Sequence, residues 1–368
     1  MIRRVALVSP YALSVFGGVQ EQVLAMSREL SSRELDVLVV APDDIDHSVY
    51  DTSASVVRFG SRLSLPANGS RAPLTLSLRA SRGAARAIAG FAPDVVHFHE
   101  PFAPLVGWST LRAHRSASVA TFHRNGAGPA LTLTKPLLRL LARGLDVSSA
   151  VSEPAAKTIH RACRIEATVL FNGFEIERFV ATPRLREDGI VLVCVGRLEE
   201  RKGVSVAIDA VRAHNARGLD QWRLLVIGEG PERARLEARA GGDEMVVFEG
   251  ALSDGAKRAW LRRANALLAP ALRGESFGLP LLEGMASETL VVASDISGYR
   301  EAAGEHATLF VAGDASDLER AVIQAISSES EQRIRSAREY AEHWSMKRLV
   351  DAYLALYAEA IERFNHAR

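Results

Sequence analysis

Ile190-Val-Leu-Val-Cys-Val-Gly-Arg-Leu-Glu-Glu-Arg-Lys-Gly203 is the stretch that decides the fold. Its first six residues are apolar on both faces, as in a strand of a parallel sheet covered by helices. A glycine and a charged turn follow, and a helix begins at about Gly203. The chain has already run through one such alternation before this point. Strands are predicted at Val5–Ser9, Asp36–Ala41, Ser55–Phe59, Asp94–His99, Ser118–His123, Val147–Ser152 and Thr168–Phe171, with helices such as Gly18–Leu30 and Thr134–Ala142 between them. At Ile190 the pattern restarts, continuing through Arg223–Gly228, Met245–Glu249, Ala266–Pro270, Leu290–Ser294 and Thr308–Val311. Two successive strand–helix arrays predict an α/β protein with two doubly wound, Rossmann-like domains, at residues 1–175 and 176–344. The short polar segment Glu177–Asp188 is the expected junction. Helices Ala315–Ile326, Glu329–His343 and Ser345–Phe364 close the chain without strand partners. The last is long enough to cross back, so 345–368 is assigned to the first domain.

With 368 residues, 48% hydrophobic and 24% charged, the chain has the composition of an ordinary soluble globular protein, long enough for two cores. Cys163 and Cys194 lack metal-ligand or redox spacing, which predicts a reducing, cytoplasmic setting. No apolar run reaches membrane-spanning length, and the start reads as a first strand rather than a signal peptide. Charge is uneven. Residues 1–170 hold 19 Lys/Arg and 13 Asp/Glu, a net +6, and the remainder holds 26 and 31, a net −5. A basic first half suits an anionic surface. Few aromatics interleave the basic residues, which argues against nucleic acid. Arg79, Arg82 and Arg86 fall on one narrow helical face with Ile88 opposite, so either a solvated face or a contact with anionic lipid is expected there.

In Gly274-Glu-Ser-Phe-Gly-Leu-Pro-Leu-Leu-Glu283, two carboxylates bracket seven residues. Ser276, Phe277 and Gly278 read as a turn and Leu279–Ala286 as a helix with Pro280 in its first turn. Glu275 is expected in the loop and Glu283 about two turns into the helix. Carboxylates accept bonds from sugar hydroxyls, and a helix start favours phosphate, so a nucleotide-sugar fits the pattern. Arg197 and Lys202 leave the carboxyl end of the Ile190 strand, where open α/β sheets bind ligands, and both suit phosphate. Gly17-Gly18 follows the first strand and opens the first helix, allowing close approach of a ligand to the backbone. His123 ends a strand at a carboxyl edge, whereas His97 and His99 read as structural. Asp44-Ile-Asp46 reads as turn chemistry, and no cluster suggests a metal site.

Together these residues resemble the retaining family 4 glycosyltransferases of the GT-B fold, in which two Rossmann-like domains face across a cleft. Glu275 and Glu283 look like that family's paired-glutamate signature. Further matching segments are Pro10-Tyr11 with Gly17-Gly-Val-Gln20, Asn68-Gly-Ser70, His99-Glu-Pro101, Thr121-Phe-His123 and Asn172-Gly173. Within that family the chain is similar to members that transfer mannose to phosphatidylinositol. The resemblance implies that Arg197 and Lys202 hold the donor diphosphate, with Gly17, Gly18, Ser276, Phe277 and Gly278 lining the donor site. It implies that Glu275 binds the donor sugar, Glu283 the ribose, and His123 the neighbourhood of the transferred sugar. Tyr11, Asn68, Ser70, Arg71 and Arg124 then fall on the acceptor side, and Arg79, Arg82 and Arg86 where the family has a basic membrane-contact helix. A nucleotide-sugar donor, a lipid-linked or small polyol acceptor, the inner membrane face and no metal cofactor are the implied partners and setting.

The chain departs from the pattern at Ser14, at Arg124-Asn-Gly-Ala-Gly128 and at Glu288, where a glycine tolerant of positive φ is usual. The first two departures leave the acceptor open. A UDP-sugar donor with a soluble acceptor, and a non-catalytic nucleotide-sugar-binding protein, stand as alternatives.

Overall fold

The computed structural model describes residues 2–13, 18–42, 52–59, 63–67, 70–74, 78–103, 108, 110–111, 114–123, 129–179, 189–218, 220–275 and 278–367, with the backbone alone at 63–67, 70–74, 78–80 and 129–133. Contacts divide the chain into two compact units, Met1–Phe174 with Met346–Arg368, and Glu175–Ser345.

The first unit contains β1 (Arg4–Val8), β2 (Asp36–Ala41), β3 (Ser55–Arg58), β4 (Leu63–Ala67), β5 (Ser70–Leu74), β6 (Val95–His99), β7 (Ala117–Phe122), β8 (Val147–Ala150) and β9 (Thr168–Val169). Seven of these form a parallel sheet in the order β3-β2-β1-β6-β7-β8-β9. Strand periodicity sorts its side chains onto two faces. Val5, Leu7, Val95, Val119 and Val147 pack beneath helix Gly18–Ser32 and the closing helix Met346–His366. Ala6, Val8, Val96, Phe98, Ala120, Phe122 and Ala150 line the opposite face, under helices Leu78–Phe91, Pro129–Ala142 and Glu153–Cys163.

The closing helix repeats buried residues at Met346, Leu349, Val350, Tyr353, Tyr357 and Ala360, the spacing of one helical stripe. That stripe lies on the first unit's sheet. Met346 N–H donates to Phe174 O at 2.8 Å where the chain re-enters the unit.

β4 and β5 form an antiparallel hairpin with Ala67 opposite Ser70. Ser70 and Arg71 therefore belong to a strand. The polar segment expected as the junction begins as a 3-10 turn, Ile176–Phe179.

The second unit holds β10 (Ile190–Val195), β11 (Trp222–Ile227), β12 (Val246–Gly250), β13 (Ala266–Ala269), β14 (Leu290–Ser294) and β15 (Thr308–Phe310), all parallel in the order β12-β11-β10-β13-β14-β15. Its core joins Leu192, Val226 and Leu268 of the sheet to Ile208 and Val211 of helix Val204–Asn215 and Val322 of helix Ala315–Ser327. In the first sheet the winding reverses between β1 and β6, and in the second between β10 and β13. Those switch points are where doubly wound sheets leave a crevice at their carboxyl edge.

Candidate active site

In the second unit two loops leave the switch point, one after β10 and one after β13. Leu272 N–H donates to Arg201 O at 2.8 Å and ties them together. The first loop ends in the 3-10 turn Glu200–Lys202, closed by Gly203 at φ 63°. A Cβ on Gly203 would lie 1.9 Å from the carbonyl oxygen of Pro270, so only glycine lets the two loops come this close.

That approach brings cations onto Glu275. Its Oε1 accepts from Lys202 Nζ at 2.7 Å and from Arg201 Nη1 at 2.8 Å. Arg201 Nε donates to Glu199 Oε2 at 2.8 Å, and Arg197 Nη2 lies 3.4 Å from Glu199 Oε1. The side chains of Glu199 and Glu275 are only 8% and 9% exposed, so the pairs are held largely away from water. Three cations against two carboxylates leave this cluster with one net positive charge. Gly196, Arg197, Lys202, Pro270, Pro280 and Tyr299 line a pocket at the same edge. Burial, and then the Glu275 carboxylate, push the Tyr299 phenol well above its ordinary value.

Gly278 caps helix Leu279–Ala286 at φ 79°. A Cβ there would stand 2.8 Å from Tyr299 Cδ1. Glu283 is the fifth residue of that helix, little more than one turn in rather than about two. It is buried and accepts from Lys257 Nζ at 3.0 Å. Lys257 also lies 3.2 Å from Asp254. Just past the helix, Glu288 takes the left-handed conformation at φ 57°, as the missing glycine at this position leads one to expect. Its carboxylate meets Arg262 and Arg338, each at 3.1 Å.

The first unit places three histidines on adjacent strands. His97 and His99 point from β6 to the face covered by the closing helix, and His123 follows β7 on the same side. His97 is bonded at both ring nitrogens, to Tyr357 OH at 2.8 Å and Thr121 Oγ1 at 2.6 Å. Tyr353 OH joins Thr121 and Ser149. His99 Nδ1 lies 3.0 Å from His123 Nε2, and the His123 backbone N–H donates to Glu100 Oε1 at 2.5 Å. Burial lowers the imidazolium pKa of His97 and of His123 to about 3, and that of His99 well below its usual range. All three are neutral imidazoles at neutral pH.

Gly18 is the first residue of its helix and exposed, and a Cβ there would meet no atom of the described residues within 4 Å. Tyr11 is half-buried beside Ser9, whose hydroxyl donates to its carbonyl at 3.0 Å. Arg82 and Arg86 are exposed and Ile88 is buried, as their spacing implies, and Arg79 lies on the same helix. Gly17, Asn68, Arg124, Ser276 and Phe277 lie outside the described residues, as do Ser14, Asp44 and Asp46.

Glu199, Arg201 and Lys257 escaped the sequence reading. Glu199 and Arg201 sit inside the run already singled out for Arg197 and Lys202, so their signal was proximity to a turn. Lys257 meets Glu283 across 26 residues, a pairing that no local spacing reveals.

Comparison with known proteins gives the chain its family. Residues 16–178 match the model for Glycosyltransferase Family 4, and residues 175–344 that for glycosyl transferases group 1. Phosphatidyl-myo-inositol mannosyltransferase from Mycobacterium leprae is 32% identical, over 98% of this chain and 93% of that protein. Among solved structures, a glycosyltransferase from Rickettsia africae superposes with TM-score 0.77 at 15% identity, covering 98% of this chain and 99% of that one. HepE from Anabaena, in complex with UDP and glucose, superposes with TM-score 0.73 at 18% identity, over 96% and 99% of the two chains. The chain belongs to glycosyltransferase family 4 and is a sugar-transferring enzyme built on the GT-B fold.

Proposed function

We propose that the chain is a retaining mannosyltransferase that moves mannose from GDP-mannose to phosphatidylinositol at the inner face of the cell membrane. The observation that carries this reading is the cluster of Arg197, Arg201 and Lys202 with Glu199 and Glu275 at the second sheet's carboxyl edge. Its surplus cation suits a diphosphate, and charge developing on that leaving group is what a preorganised cation stabilises most. Glu275 is the acceptor for hydroxyls of the donor sugar, held in place by Arg201 and Lys202. Glu283 serves the ribose, with Lys257 fixing its carboxylate. Arg197, Arg201 and Lys202 offset part of the diphosphate charge, and in this reading transfer proceeds without a divalent metal. The relative from Mycobacterium leprae, by its name, supports mannose and phosphatidylinositol as donor sugar and acceptor.

Arg82 and Arg86 support the membrane part. Their helix shares one face of the first sheet with helix Pro129–Ala142, on which Leu137 and Leu140 are 38% and 49% exposed beside exposed Arg139 and Arg143. Basic side chains add about 1 kcal/mol each near an anionic bilayer, and exposed leucines can bury there. No helix among the described residues is long and apolar enough to cross a membrane.

The test is transfer from a panel of GDP- and UDP-sugars to phosphatidylinositol vesicles or to soluble inositol phosphate, with and without a metal chelator. GDP-mannose with phosphatidylinositol should give product in chelator, and Glu275→Ala should abolish it. Transfer only from UDP-sugars, only to the soluble acceptor, or only with metal restored would each overturn the corresponding part.

A further inference from the structure

His99 is 1% exposed, and its bond to His123 uses Nδ1. Its other ring nitrogen, Nε2, is buried and meets no hydrogen-bond partner among the described residues. A neutral imidazole carries one ring proton, so only two arrangements of the pair exist. In the first, His99 holds its proton on Nε2 and accepts at Nδ1 from a His123 Nε2–H. That arrangement buries an N–H with no acceptor among the described residues. In the second, His99 holds its proton on Nδ1 and donates to a bare His123 Nε2. The buried Nε2 of His99 is then only a lone pair. Orphaned buried N–H groups are the rarer and costlier defect, so the second arrangement wins.

We propose that His99 is a positioning residue that fixes the tautomer of His123, holding Nε2 bare and the proton on Nδ1. Resting on the reading of His123 as a substrate-contact residue, this makes His123 a hydrogen-bond donor through Nδ1–H rather than a base through Nε2. Free histidine favours the opposite tautomer, so the arrangement needs the imposed partner. Three further contacts hold the pair in register. The His99 ring stacks on His97 at 4.5 Å between centroids, His97 is bonded at both nitrogens, and Glu100 binds the His123 backbone N–H. Neutrality of all three rings keeps the two-arrangement logic valid through physiological pH.

Histidine labelled with ¹⁵N and observed by long-range ¹H–¹⁵N correlation reads the tautomer directly. The parent should show His123 unprotonated at Nε2 and protonated at Nδ1. In His99→Phe the His123 signals should move toward the Nε2–H form, and kcat should fall about tenfold or more with donor KM little changed. His99→Asn, whose amide can donate from near the Nδ1 position, should restore much of kcat. A proton on Nε2 of His123 in the parent overturns the proposal, even if His99→Phe does not fold. So does a folded His99→Phe with parental tautomer and kcat. Full turnover in His123→Phe would instead remove the substrate-contact role and leave the tautomer question to the spectrum.

Discussion

Arg201 and Lys202 both reach Glu275, yet their loss should have opposite profiles. Arg201 bridges two nearly buried carboxylates, Glu199 and Glu275, each at 2.8 Å, and also donates to Gly274 O at 3.3 Å. Lys202 makes one ion pair among the described residues, at 2.7 Å. Hydrogen bonds to charged groups contribute about 1.5–3 kcal/mol each, so Arg201→Met loses about 3–6 kcal/mol before any discount. The Arg201 side chain is 27% exposed, and water screening brings the expected cost to about 2–4 kcal/mol. Lys202→Met leaves Glu275 its second cation and should cost about 1–2 kcal/mol. Turnover should rank the other way. Lys202 lines the pocket and carries charge for the diphosphate, so its loss should lower kcat about 10²–10³-fold. Urea unfolding followed by tryptophan fluorescence reads the first quantity, since Trp222 is buried in the second unit's core. A steady-state transfer assay reads the second. Lys202→Met as unstable as Arg201→Met, or with near-parental turnover, would refute the division of roles.

The glycines make a paired prediction. Gly203→Ala should destabilise the second unit by several kcal/mol, read as a lowered urea midpoint, because its Cβ has no room at φ 63°. Gly18→Ala should leave the midpoint unchanged but raise donor KM, since its Cβ would meet no described residue and would face a donor bound at this helix start. The first unit should weaken in acid. His97 and His123 titrate at about 3 in the fold against an ordinary 6.5, so below 6.5 the unfolded chain binds more protons and stability falls with pH. Between pH 7.5 and 5.5 each should cost about 1.4 kcal/mol, measurable by urea unfolding at the two pH values. Arg82→Ser with Arg86→Ser, and separately Leu137→Ser with Leu140→Ser, should each weaken sedimentation with anionic vesicles at low salt while leaving donor hydrolysis in solution intact.

The strands were legible because parallel strands buried on both faces read as unbroken apolar runs, as at Val37-Leu-Val-Val40 and Ile190–Val195. The hairpin β4–β5 is less legible, although Asn68-Gly69 is the strongest short-range hairpin signal. Pro66 and Pro73 inside its strands break the β pattern that would have exposed it. At the site, Glu275, Glu283, Arg197 and Lys202 stood out because motif spacing and strand ends place them. What holds them did not. Arg201 acts through a loop contact set by Gly203, and Lys257 through a helix distant in sequence. His99 looks structural in the sequence because alternation along β6 says which face a side chain takes, not which ring nitrogen meets a neighbour.

The anomeric configuration of the product made from GDP-α-mannose and phosphatidylinositol tests the central claim most directly. Nuclear magnetic resonance of the isolated glycolipid should show an α-linked mannose, formed by the parent enzyme and not by Glu275→Ala. A β-linked product, or no mannosylated phosphatidylinositol from folded parent enzyme, would contradict the account.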